Sequence, residues 1–184
     1  MKKALKIILV VFLLGFAVLA LPWILLAFLI MTSPNPPIPE QKYGEFEFRL
    51  VYIHDDEQIA IEDTLICEYD GIGMNEGRGK YIKWKQWYKS GNDAIVLLDL
   101  GIGSGIGRFG DVIKSHRIIY PLAPAEHFMG FRADYVELFP DAAHFYIYDH
   151  GWGSDRIAAE KLLEEYGISL ISWEVAPPIS NIAR

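Results

Sequence analysis

From Ile7 to Met31 the chain runs 25 residues without a charge, and only Gly15 and Pro22 in that run fall outside the hydrophobic class. A helix of that length is about 37 Å long, against a bilayer hydrocarbon core of about 30 Å. Leu, Ile, Val and Phe fill 18 of the positions, each favouring insertion by about 0.3–0.6 kcal/mol near the centre. The run is therefore expected to be a transmembrane helix over 7–31, with the lipid bilayer as its partner. Pro22 bends such a helix without aborting it. A cleaved signal peptide, with Val18-Leu19-Ala20 as its small-residue site, is the rival reading. Its apolar core spans only about 7–15 residues, and here the run continues from Leu21 to Met31.

Lys2, Lys3 and Lys6 precede the span, and no acid appears before Glu40. Basic residues gather on the inner side of a membrane. Residues 1–6 are thus read as a cytoplasmic tail, and the protein as single-pass in the cell membrane with its bulk outside. Residues 32–41 hold four prolines between Thr32 and Pro39, a composition that favours an extended stalk over a helix. Residues 42–184 are left as one extracytoplasmic domain. Beyond residue 31 the chain carries all 24 acids but only 14 of the 17 basic residues, a net charge of −10. That charge disfavours nucleic acid as a partner.

The domain reads as α+β, a mainly antiparallel sheet with one to three short helices. Residues 45–53 alternate, with Phe46, Phe48, Leu50 and Tyr52 on one face and Glu45, Glu47 and Arg49 on the other. Asp55-Asp56-Glu57 marks a turn, and residues 59–69 form the return strand. A glycine-rich loop is expected over 70–79, then a strand over 80–89 with Ile82, Trp84 and Tyr88 facing the core. Ser90–Asp93 is read as a hairpin turn into an apolar strand over 94–100. Further strands are expected over 117–120, 145–148 and 168–175. Pro124 opens a helical turn ended by Gly130, and 133–139 is read as a second short helix. The clearest helix is placed at 155–166, capped by Ser154 and stopped by Gly167, with Ala158, Ala159, Leu162, Leu163 and Tyr166 buried.

Three runs carry a family resemblance: EDTLICEYDG at 62–71, NEGRGKYIKWK at 75–85 and EYGISLISWEVAPPI at 165–179. The chain resembles small membrane-anchored proteins of Gram-positive bacteria to which no activity, cofactor or catalytic residue is assigned. The resemblance implies an anchor with an outer domain and adds no chemistry.

Chemical motifs are sparse. Gly105-Ile106-Gly107-Arg108-Phe109-Gly110 matches G-x-G-x-x-G, but the segment between Gly110 and Pro121 is too short and too β-like to form a dinucleotide-binding helix, so the motif is read as a surface loop. The window from Asp149 to Glu160 has the length of a calcium loop but lacks its oxygen ligands at Gly151 and Gly153. His144 and His150 lie about 20 Å apart on an extended strand, too far to share a metal. Cys67 sits in phase with core residues. No serine-nucleophile signature occurs. The expectation is therefore no catalytic residue, no metal and no cofactor.

The most unusual local chemistry is RGKYIKWKQWYK at 78–89. Tyr81, Lys83, Lys85, Trp87 and Lys89 share a strand face, read as a candidate binding strip for an anionic cell-wall polymer or an envelope protein. The functional expectation is a non-catalytic, membrane-tethered domain that binds at the cell envelope. The alternative is a surface-anchored hydrolase using carboxylates supplied by loops.

Overall fold

The computed structural model describes residues 2–75, 77, 79–102, 112–132 and 134–181. The chain divides into two compact units. One takes in the chain up to Ile38 together with Asp70–Lys83. The other takes in Pro39–Tyr69 and Trp84–Ile182.

Helix α1 runs from Lys2 to Thr32 and contains Pro22. No residue of Gly15–Thr32 is buried. The Thr32 and Ser33 hydroxyls fold back onto the carbonyls of Phe28 and Ile30, at 2.8 and 2.7 Å, which satisfies acceptors that every helix end leaves open. Pro34 then stops the helix, and residues 34–38 adopt no regular structure. In the same unit, Lys80 Nζ donates to the Ser33 carbonyl at 2.6 Å.

The strands are β1 Tyr43–His54, β2 Glu57–Asn75, β3 Gly79–Tyr88, β4 Ile95–Asp99, β5 Ser115–Tyr120, β6 Ala142–Tyr148, β7 Gly151–Ile157 and β8 Ile168–Val175. Two short helices, α2 Ala125–Phe128 and α3 Ala159–Tyr166, complete the described elements. The fold is α+β with two four-stranded antiparallel sheets, ordered β3-β2-β1-β8 and β4-β5-β6-β7.

The alternation in β1 has the expected outcome: Phe46, Phe48, Leu50 and Tyr52 are buried, and Glu45, Glu47 and Arg49 are exposed. The turn to β2 places Asp55 and Asp56 in the left-handed region, φ 52° and 63°. A tight two-residue hairpin needs two such values, and aspartate tolerates them better than most side chains. One core cluster joins Phe48, Leu50 and Tyr52 to Ile118 and Tyr120 of β5 and Leu162 of α3. A second joins Phe46, Leu65 and Cys67 to Phe128 and Met129 around α2. Gly130 stops α2 with φ 76°, and a Cβ there would lie 2.4 Å from the Ile179 carbonyl oxygen. Only glycine lets the C-terminal segment pass so close.

Four sequence expectations are corrected. Residues 70–75 are not a loop, because β2 continues to Asn75, and β3 begins at Gly79. At Gly73 a Cβ would meet the Tyr81 ring at 2.4 Å, so glycine gives the aromatic a bed and the strand persists.

Residues 80–100 are not a hairpin, because β3 and β4 belong to different sheets. Lys89 N–H bonds the Thr64 carbonyl at 2.9 Å and Ser90 bonds Asp63, which fastens the start of the crossing to β2. At its end, Arg117 of β5 grips both Asp93 carboxylate oxygens, at 2.9 and 2.8 Å.

No helix forms over 134–138, where Tyr135 is half-buried and Val136 is exposed. The stretch between Gly130 and Pro140 is too short to offset helix nucleation.

Finally, α3 begins at Ala159 instead of 155. Ser154 and Asp155 are used by β7, opposite Phe145 and His144 of β6. Ala158 and Leu163 are exposed, while Leu162 is fully buried. Gly167 ends the helix as expected, with φ 65°.

Candidate functional site

The five residues of the expected strip are divided between the two units. In the first, Tyr81 lies against Gly73, and Lys83 pairs with Asp70 at 2.5 Å. That hydrogen bond and its charge raise the Lys83 pKa. In the second, Lys85 is exposed, Trp87 is 40% exposed, and Lys89 pairs with Glu45 at 3.1 Å. The face is the outer one, as expected. Lys83 and Lys89 have carboxylate partners, so the strip offers an anionic polymer less unspent charge than its composition implies.

A concave site lies elsewhere, among residues the sequence reading did not connect. A cavity of about 220 Å³ is walled by Tyr120, His127, Phe128, Tyr135 and Trp173, with Glu137 among its lining residues. Pro121 ends β5, so Tyr120 stands at the strand's last position. Helix α2 brings His127 and Phe128. The irregular segment after it supplies Tyr135 and Glu137 to the same cavity. Strand β8 supplies Trp173. The Tyr120 and Trp173 rings are 4.7 Å apart, and His127 packs on Tyr135 at 4.9 Å. The indole N–H of Trp173 is buried and has no hydrogen-bond partner among the described residues.

Burial, and after it the Glu137 charge, push the Tyr120 and Tyr135 phenols above their ordinary pKa. Both phenols, like those of ordinary tyrosines, are neutral at physiological pH. The neighbouring Arg132 is paired with Asp134 at 3.2 Å. Among the described residues no cation pairs with Glu137.

A second cluster sits on the core-side face of β5 and β6. His116 Nε2 and His144 Nδ1 are 2.8 Å apart. Tyr146 stacks on both rings, at 4.5 and 5.6 Å, and Tyr166 of α3 meets His144 edge-on at 5.7 Å. One ring must donate and the other accept, so the contact survives only while at least one imidazole is neutral. Burial lowers the pKa of His116. Burial and then His116 lower that of His144, against the opposing pull of Glu165 and Asp155. The sequence reading compared His144 with His150, which lies exposed in the β6–β7 turn. The true partner is two positions off the cross-strand neighbour: β5 sets Ile118 opposite His144 and His116 opposite Tyr146.

The remaining candidates separate. Cys67 is fully buried, and desolvation pushes its thiol up to about 12. Asp149, Asp155 and Glu160 of the calcium-like window fall in a turn, in β7 and in α3, and Asp149 pairs with Lys114 at 2.6 Å. Among the described residues no three His, Cys, Asp or Glu side chains form a metal-binding group. The glycine motif at Gly105–Gly110 lies outside the described residues. On the open face of the first sheet, Arg49 lies between Glu62 and Glu174 and bonds Glu62 at 2.8 Å. Comparison of the chain with protein-family models, with curated proteins and with solved structures finds no match.

Proposed function

We propose that this chain is a membrane-tethered domain that binds at the outer side of the cell envelope, held by α1 as a single-pass anchor with its N-terminus inside. The observation that carries the reading is the uncovered state of α1. Leu19, Ile24, Phe28 and Leu29 are each more than 60% exposed, and no residue of Gly15–Thr32 is buried. So long an apolar surface is unfavourable in water, and a bilayer covers it at no polar cost. The three lysines before the span support the orientation. At the aromatic cavity binding is preferred to hydrolysis, because acid–base chemistry by paired carboxylates needs two of them across one cleft and Glu137 is the one carboxylate among its described lining residues; the groove that gathers Glu47, Glu62, Asp63 and Glu174 also holds Arg49, which bonds Glu62.

Topology is tested by alkaline carbonate washing of membranes and by protease added to wall-stripped cells. The protein should stay with the membrane, and its domain should be digested from outside. A soluble product beginning near Leu21 would show that α1 is a cleaved signal.

A further inference from the structure

The cavity walled by Tyr120, His127, Phe128, Tyr135 and Trp173 has a chemistry that selects its ligand. Aromatic faces carry negative electrostatic potential and attract a cation placed over them, most strongly where water is excluded. Glu137 adds a full negative charge with no cationic partner among the described residues. An anion would meet Glu137 and a chain of net charge −7. An uncharged apolar ligand would gain nothing from the Glu137 charge. The size is also selective: about 220 Å³ falls below the roughly 300–1,000 Å³ of sites that hold drug-sized ligands. It suits a compact head of a few heavy atoms.

We propose that this cavity is a binding site for a small organic cation, an alkylated or quaternary ammonium head, with the aromatic rings as its walls and Glu137 as its counter-charge. The inference deepens the binding half of the function proposed above and rests on it. It makes no use of the membrane topology, so either can fail alone.

The test uses the full chain in a nonionic detergent, titrated with tetramethylammonium and with choline, and followed by proton NMR of the ligand methyl groups. Protons held over aromatic faces shift upfield, which locates them as well as counting them. The expected result is a saturable upfield shift with a dissociation constant near or below about 1 mM, about −4 kcal/mol of binding free energy. The uncharged carbon isostere of choline, 3,3-dimethyl-1-butanol, should bind at least about tenfold more weakly. Glu137→Gln keeps the shape and removes the charge, and Tyr135→Leu removes one wall; the first should weaken binding about threefold and the second about tenfold. Glu137 is at the surface, so its variant should keep the wild-type near-ultraviolet circular dichroism. Absence of a saturable shift, equal binding of the isostere, or unchanged binding in both variants would each overturn the proposal.

Discussion

Asp141 does for α3 what no residue next to that helix does. The residue at the N-cap position is Ala158, which has no side-chain acceptor to offer. Asp141, 8% exposed at the entry to β6, accepts the Ala159 N–H on Oδ1 at 2.9 Å. Its Oδ2 accepts from Arg156 Nε at 2.6 Å and is also paired with Arg156 Nη2. Asp141→Ala removes both. Loss of a helix cap costs typically about 1 kcal/mol. A charge-assisted hydrogen bond is worth about 1.5–3 kcal/mol, but the Arg156 side chain is 67% exposed and regains water, so about 1 kcal/mol is the better figure. The expected cost is about 2–3 kcal/mol, or roughly 5–10 °C in Tm for a chain of this length.

Three comparisons make this reasoning refutable in thermal melts of the detergent-solubilised chain. Asp141→Asn keeps the Oδ1 acceptor and loses the charge, so it should cost about half as much as Asp141→Ala. Arg156→Ala should cost about 1 kcal/mol, and the double variant should fall short of additivity by about the same amount. If Asn costs as much as Ala, the capping bond contributes nothing. If Asp141→Ala costs less than about 0.5 kcal/mol, the residue is an ordinary surface acid and α3 is held by Leu162 alone.

Burial underlies two more predictions. Trp84 packs between Tyr69 and Phe131, at 6.0 and 5.8 Å, with its indole N–H sealed. Trp84→Ala should cost about 3 kcal/mol or more, and Trp87→Ala, at an exposed position, about 1 kcal/mol or less; equal losses in urea denaturation would mean the strand faces are misassigned. Acid should also weaken the fold. Because the folded pKa values of His116 and His144 are lowered, the unfolded chain takes up protons first as pH falls below about 6.5. Stability should therefore drop through that window, and His116→Gln with His144→Gln should flatten the drop; an unchanged pH profile in the double variant would assign the loss to other groups.

Where local pattern was enough, the sequence was a good guide. β1, β8 and the α2 turn follow from alternation and from Pro and Gly signals at their ends, and all three lie where expected. The exposed, apolar character of α1 was equally plain. The errors share a cause: each segment has a local preference that a distant partner overrides. Ser154-Asp155 resembles a helix start until β6 claims it as a strand, and the cap then comes from Asp141. Ser90–Asp93 resembles a hairpin turn, yet Asp63 and Arg117 pull its two ends to different sheets. The aromatic cavity was illegible for the same reason. Tyr120, Tyr135 and Trp173 belong to three segments, and nothing in their spacing foretells that they meet. Of the candidate strip, the strand period correctly put the lysines outward. It was silent on Asp70 and Glu45, which neutralise two of them.

The order of strands in the two sheets also sets an order in time. In sheet β4-β5-β6-β7 the strands are consecutive, so every pairing in it joins neighbours in the chain, across connections of 15, 21 and 2 residues. The other sheet is finished only when β8 arrives beside β1, with Val175 opposite Phe48. At a synthesis rate of about 5–20 residues per second, β1 precedes β8 by on the order of ten seconds. Through that interval an emerging chain has β1 made, one of its edges open, and its most hydrophobic face (Phe46, Phe48, Leu50) only partly covered. An open edge of this kind is a template for pairing with other chains. The strand that closes it is the last of the described strands, so a product truncated before Ile168 keeps α1 and the sheet β4-β5-β6-β7 but never loses its adhesive edge.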